Sequence, residues 1–465
     1  MIFSSLTFLC VFLPIVFLLY LCAPGIRAKN ILLIAASLLF YAYGEPVYVF
    51  LMLFCTFGNY LLALLVSRVK GRKLWLALAV TGNLCMLGVF KYSGFLVTQI
   101  NAVFSLELPV PEITLPIGIS FFTFQAMSYV IDVYQGKVEG ERNFGRILLY
   151  ISFFPQLIAG PIVKYHDISR EISDRKQTMQ GISLGIRRFV LGLSKKVLIA
   201  NTMGRVADAV FTAQIESVNI LAAWIGALAY LLQIYYDFSG YSDMAIGLGR
   251  MFGFHFKENF RYPYSAVSIK DFWRRWHMSL SGWFREYLYF PLGGNRKGRA
   301  RTCLNKIIVF FCTGFWHGAN LTFIFWGLYH GFFLLLEEYL PKPKRIPGFL
   351  KHIYALLVVC VGFVIFRAET LSQGFAMIGR MFSGFDFSAA AVSFALQQCT
   401  PLVITVFVLG AIGSMPVLPA FQAKIGKQKG YVWEPVSFVV SLGLLVLCML
   451  SLSGGGYNPF IYFQF

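Results

Sequence analysis

Three short runs in this 465-residue chain join ionisable and aromatic side chains in patterns that could do chemistry. The first is Phe315-Trp316-His317-Gly318-Ala319-Asn320, set inside an apolar stretch. Burying an ionisable group there is costly, so a function is the default reading. Desolvation lowers an imidazole's pKa and keeps the ring neutral near pH 7. Neutral imidazole is the form that takes a proton from an alcohol. Gly318 leaves space for a substrate to approach the backbone, with Trp316 and Asn320 as flanking contacts. The structural alternative is a buried histidine bonded to a carbonyl across a helix pair.

The second run is Asp271-Phe272-Trp273-Arg274-Arg275-Trp276-His277. Two guanidiniums held among indoles suit a phosphate or carboxylate, which makes Trp273, Arg274 and Arg275 candidate substrate contacts. An aromatic belt at the lipid headgroups explains the tryptophans and arginines equally well. It does not explain His277, which is the second candidate base after His317. The third run, Tyr236-Asp237-Phe238-Ser239-Gly240-Tyr241-Ser242-Asp243, follows an apolar span. Asp237 and Asp243 could orient a histidine or bind a hydroxyl, and they could equally cap the next helix.

The elements that must position these residues are membrane helices. Hydrophobic residues make up 58% of the chain and charged residues 13%, against roughly 25% charged in soluble domains. The aromatic share of 17% suits lipid and its interfaces. Disorder, a collagen-like fibre, a disulfide scaffold and an ordinary cytosolic enzyme are excluded. Apolar runs predict spans at Ile2–Cys22, Ile31–Tyr43, Val47–Val66, Leu74–Phe90, Ile113–Ile131, Ile147–Val163, Val218–Tyr236, Ile353–Phe366, Leu402–Phe421 and Val436–Leu450. Ile307–Leu336 is 30 residues without an acidic residue, lysine or arginine. As one helix it would be about 45 Å long, too long for a core of about 30 Å. A break at Gly318-Ala319-Asn320 is expected. The whole is an all-α polytopic protein of about ten to twelve transmembrane or re-entrant helices. It is read as one membrane domain, with spans at 1–236, a catalytic core at 237–331 and further spans at 332–465.

Arg27 and Lys29 follow the first apolar stretch, so that stretch reads as a retained span that starts on the outer face. These residues and the cluster Arg68, Lys70, Arg72 and Lys73 fall on one side, the cytoplasmic one. Gly181–Lys196 mixes Arg187, Arg188, Lys195 and Lys196 with apolar residues and suits an interfacial helix. Between Arg250 and Lys306, 12 Lys or Arg face three acidic residues, a local net of +9. Loop topology alone need not concentrate charge so heavily, which points to an anionic ligand or lipid headgroup and not to nucleic acid. The nine cysteines form no C-x-x-C pair, and there is no H-E-x-x-H, so no metal site is expected. Gly181-Ile182-Ser183-Leu184-Gly185 matches G-x-S-x-G without the strand that motif needs. Gly247-Leu248-Gly249 lacks the third glycine of a dinucleotide loop. His330 reads as an interhelix contact, and His166, His255 and His352 give no specific signal.

Asp271–Gly298 and Phe315–Gly331 resemble the membrane-bound O-acyltransferase superfamily, above all its bacterial branch that acetylates alginate and related polysaccharides. Ser152–Ile168, Asp237–Phe254 and the terminal Gly-Tyr-Asn-Pro-Phe-Ile-Tyr-Phe-Gln-Phe extend the likeness to nearly the whole chain. Glu286 stands where that branch is expected to carry Asp. The resemblance implies a helical body crossed by a tunnel, with His317 as the essential base and His277 as the second polar position. It implies no bound cofactor. The donor would be acetyl-CoA or another acyl thioester, with its phosphates near Arg274 and Arg275. The acceptor would be an extracytoplasmic polysaccharide, reached directly or through a periplasmic or extracellular partner protein, from the cytoplasmic membrane. Transfer of D-alanine from a carrier protein to teichoic acid is the alternative. A transporter is a weaker one, since no inverted repeat is visible.

Overall fold

The computed structural model describes residues 1–158, 160–340, 346–417, 419–420 and 430–461. Helices account for the regular structure, and no strand occurs among the described residues. Six helices are long and apolar enough to cross a membrane: Gly25–Ala42, Tyr48–Arg68, Arg72–Phe104, Ile220–Met251, Gly348–Arg367 and Glu434–Ser453. A seventh span is formed if Ala389–Gln397 and Pro401–Gly413, bent by 63°, act together. Val439, Leu442 and Leu450 of the last span are 72%, 64% and 65% exposed, apolar surface that only lipid or another protein would cover.

The remaining expected spans are shorter or broken. Ile2–Cys22 yields the helical stretch Phe8–Cys22. Ile113–Ile131 becomes helical only at Ile119. Ile147–Val163 is cut into Phe144–Ser152 and Phe154–Leu157, where Pro155 has no N–H to continue the ladder. Leu402–Phe421 is helical over Pro401–Gly413, and its Leu418 and Phe421 lie outside the described residues.

The chain divides into two compact units, Met1–Phe189 with Ser242–Lys257, and Val190–Tyr241 with Glu258–Phe465. The first has an aromatic core, in which Phe12 meets Phe154 edge-on at 5.5 Å and Phe153 meets Phe254 at 4.8 Å. Asn59 and Asn83 exchange side-chain hydrogen bonds at 3.2 and 2.7 Å between neighbouring spans, which satisfies amides that lipid could not. The two glycine patterns set aside as motifs serve packing. A Cβ on Gly185 would lie 2.7 Å from the Gly247 carbonyl oxygen, and one on Gly247 would lie 2.6 Å from that of Gly185.

His166 carries more than its sequence context suggested. Its Nδ1 lies 2.7 Å from Asp132 and its Nε2 3.2 Å from Asp167, which also accepts from Lys257 at 2.5 Å. Bonding to Asp132, then to Asp167, raises the His166 pKa to about 9 against partial burial. Burial would raise Asp167, but His166 and Lys257 outweigh it and hold the carboxyl at about 2. Stability from His166 is therefore complete below its ordinary pKa of 6.5 and lost as pH rises through about 9. The thermal midpoint of the wild-type protein in detergent is expected to fall between pH 6.5 and 9.5 by more than that of His166→Gln. Parallel pH curves would disprove this.

The second unit is built on the hairpin of Arg299–His317 and Leu321–Tyr339, broken at Gly318-Ala319-Asn320 as the sequence predicts. Asn320 caps the second helix, its Oδ1 accepting from Thr322 N–H at 3.1 Å. Gly348–Arg367 packs on that helix, where a Cβ on Gly362 would meet His330 Nε2 at 2.8 Å. His330 is thus the interhelix contact expected of it.

Candidate active site

Residues from six segments of the second unit line a small cavity of about 20 Å³, among them Asp237, Phe238, Trp276, His317, Trp326 and Ile461. That is room for about one water. His317 ends its helix and is 6% exposed. Its ring lies 5.2 Å from that of Trp326 and 5.3 Å from that of Phe366, edge-on to both. The His277 ring centroid is 6.4 Å away, and Trp316 sits 5.1 Å from His317 and 6.1 Å from His277. Trp273 joins through Trp326, at 5.6 Å. Two imidazoles thus meet in an aromatic, nearly dry enclosure.

His277 is held there by its backbone and by one amide. It adopts a left-handed conformation, φ +43°, a strained choice for a residue with a side chain. That turn lets the buried Trp276 and His277 follow the exposed Arg274 in the chain. Asn259 Oδ1 accepts from Ser279 N–H at 3.1 Å and from its hydroxyl at 2.8 Å. The same oxygen lies 3.3 Å from His277 Nδ1. An oxygen that only accepts requires Nδ1 to carry the proton, which leaves the lone pair on Nε2. Burial, and secondarily His317, pushes the His277 pKa well below its ordinary value.

Sequence reasoning missed Asn259, whose only signal is an amide between charged and aromatic residues. Its replacement by alanine is expected to slow acyl transfer about tenfold or more, since it removes one buried acceptor worth about 1–3 kcal/mol. Asn259→Asp, which keeps the oxygen, should retain more activity than Asn259→Ala. Equal rates in the two variants, at equal membrane levels, would contradict the positioning role.

The other candidates are placed differently. Arg275 bonds Asp271 at 2.9 Å and Ser265 at 3.3 Å, so its guanidinium is engaged within the fold. Asn320, besides its cap, donates to the Glu369 carbonyl at 2.9 Å. Asp243 lies in the first unit, paired with Arg188 at 2.6 Å. Asp237 is in the cavity wall, paired with Lys196 at 2.6 Å. Neither aspartate caps a helix. Both lie within Ile220–Met251, which runs on past Tyr236, because a cation neutralises each carboxylate. Lys196 also departs from the interfacial reading, being 3% exposed.

The arrangement can hold an imidazole against a hydroxyl in a small aromatic enclosure, which suits attack of an alcohol on a thioester. A family model described as membrane-bound O-acyltransferase matches residues 140–366, which include both histidines. The probable alginate O-acetylase of Pseudomonas putida is 42% identical over the whole of both chains. The chain belongs to the membrane-bound O-acyltransferase family. This acyltransferase is also 36% identical to the peptidoglycan O-acetyltransferase of Helicobacter pylori, over 82% of its own length and 80% of the relative's. To the teichoic acid D-alanyltransferase of Bacillus subtilis it is 28% identical, over 54% of its own length and 69% of the relative's. It is a multi-pass membrane enzyme that transfers acyl groups to oxygen.

Proposed function

We propose that this acyltransferase moves acetyl from a cytoplasmic thioester, acetyl-CoA or a similar donor, to hydroxyls of an extracytoplasmic polysaccharide. The glycan is alginate-like or related, and the enzyme sits in the cytoplasmic membrane. Transfer is direct or passes through a partner protein on the outer face. The observation that carries this reading is His317 on an aromatic cavity with the His277 ring 6.4 Å from it, in a chain whose full-length relatives are named for O-acetylation. His317 takes the acceptor's proton as the oxygen attacks the thioester carbonyl, and the thiol leaves. His277 lies beside it and presents Nε2, while Asp237, Trp273 and Trp316 shape the binding space. Arg274 is exposed and faces the donor's phosphates in this reading, with Arg275 and Asn320 bracing the site.

The test is the O-acetyl content of surface polysaccharide in a deletion strain. Loss of ester from one fraction, restored by the wild-type gene, supports the proposal and names the acceptor. Unchanged O-acetyl with loss of D-alanyl ester would overturn it in favour of the alanyl reading.

A further inference from the structure

We propose that the C-terminal tail Tyr457–Ile461 is a wall of the transfer cavity, strapped there by Lys196, and that it keeps water off the reacting acyl group. This rests on the reading that transfer occurs in the cavity beside His317. The observation that begins it is that Ile461 and Asp237 line the same cavity as His317.

The tail is reached through Gly454-Gly455-Gly456, with Gly455 at φ +63°, directly after the last span ends at Ser453. A segment reached through three glycines takes one direction only if it is tied down. Ile461 N–H donates to Asp237 Oδ2 at 2.9 Å. The Lys196 ammonium lies 2.6 Å from Asp237 Oδ1, the two side chains being 4% and 2% exposed. Lys196 also donates to the Pro459 carbonyl and sits 5.8 Å over the Phe460 ring. One buried cation therefore holds three consecutive tail residues through carbonyl, ring and Asp237. Upstream, Asn201 donates to Asn458 at 3.1 Å and Tyr457 hydroxyl donates to Asp208. Asp208 pairs in turn with Arg367 at 2.6 Å, the last residue of the helix whose Phe363 and Phe366 line the cavity.

A buried ion pair is a poor device for stability alone, because desolvation offsets most of its attraction. It is a good device for holding one geometry. The geometry held here places the sec-butyl side chain of Ile461 and its peptide at the cavity that the candidate base lines. Its chemical purpose follows from the reaction. A base that activates a sugar hydroxyl will also activate water: the water oxygen bonds to the thioester carbonyl carbon, the C–S bond breaks, and the thiol leaves with the proton. The product is a free acid instead of an ester, so a transferase must keep water out. Lys196 and Tyr457 are positioning residues in this account, and Ile461 is the surface that excludes water.

The experiment uses the full-length enzyme with Ile461→Ala, Tyr457→Phe, Lys196→Met and Lys196→Arg. Two quantities are read: O-acetyl ester in complemented deletion cells at matched membrane levels, and CoA released from acetyl-CoA by purified protein without acceptor. Ile461→Ala and Lys196→Met are expected to lower ester at least tenfold while raising acceptor-free CoA release several-fold. Lys196→Arg should approach wild type, and Tyr457→Phe should shift both readings in the same sense but less. Wild-type values for Ile461→Ala and Tyr457→Phe would overturn the proposal. So would a parallel fall of ester and CoA release in the tail variants, which is the signature of a fold defect. If no form consumes acetyl-CoA, the cell assay decides: low ester in Lys196→Met restored by Lys196→Arg supports the strap, and equal ester overturns it. His317→Ala separates the two readings. Full ester in that variant sinks the cavity reading and the tail with it, whereas lost ester beside wild-type tail variants sinks the tail alone.

Discussion

His317→Ala is expected to cut acyl transfer by about 10²–10⁴-fold, the range attributable to one general base, while the protein still folds. The side chain is nearly buried against Trp316, Trp326 and Phe366 and lines the cavity. No other described imidazole in the second unit meets both conditions: His277 packs beside the cavity behind Phe238, 4.5 Å from its ring, and His330 stacks on Phe272 at 6.2 Å. Removing the ring leaves a gap but no buried charge, so the loss should be chemical and not structural. The check is ester formation against membrane level and thermal midpoint, with His317→Gln as a variant that keeps the bulk without the base. Wild-type ester from either variant would remove His317 from the mechanism and turn attention to His277.

Gly327→Leu is expected to destroy the site without touching a reacting group. A Cβ at Gly327 would overlap the Phe310 carbonyl oxygen and lie 3.1 Å from Gly314 Cα. The obstacle is backbone on the partner helix, so no side-chain rotation relieves it. The two helices would have to separate, at a cost of about 1–3 kcal/mol or more for overpacking. Separation would displace His317, which ends the first helix of the pair. Gly443→Leu is the control, because nothing lies within 4 Å of a Cβ there. Gly327→Leu should lower the thermal midpoint in detergent and abolish ester, and Gly443→Leu should do neither. A Gly327→Leu protein with wild-type midpoint would refute the close hairpin.

Much of this was readable from residue order because it depends on local chemistry. A membrane span is a run of apolar residues, and the break at Gly318-Ala319-Asn320 follows from length and composition. The histidine in Phe-Trp-His-Gly stands out because burying an ionisable group without a role is costly. The expected spans in the first 163 residues were less faithful, since an apolar run does not say whether a proline such as Pro155 will cut it.

What the sequence alone determined is thus the class of environment, the broken hairpin and the two histidines worth attention. Tertiary structure decided which candidates share a site. Asp237 and Asp243 are six positions apart in one helix, yet one pairs with Lys196 in the cavity wall and the other with Arg188 in the first unit. Arg274 and Arg275 are adjacent, yet one is exposed and the other tied to Asp271. Asn259 belongs to none of the runs singled out in the sequence, and Ile461 lies in the terminal run with no role assigned to it, yet they reach the site from 18 and 144 positions away from His277 and His317. Sequence reports what a side chain can do within a turn or two of its own helix. Which cation neutralises a carboxylate, and which distant peptide closes a cavity, is set by the packing of whole helices.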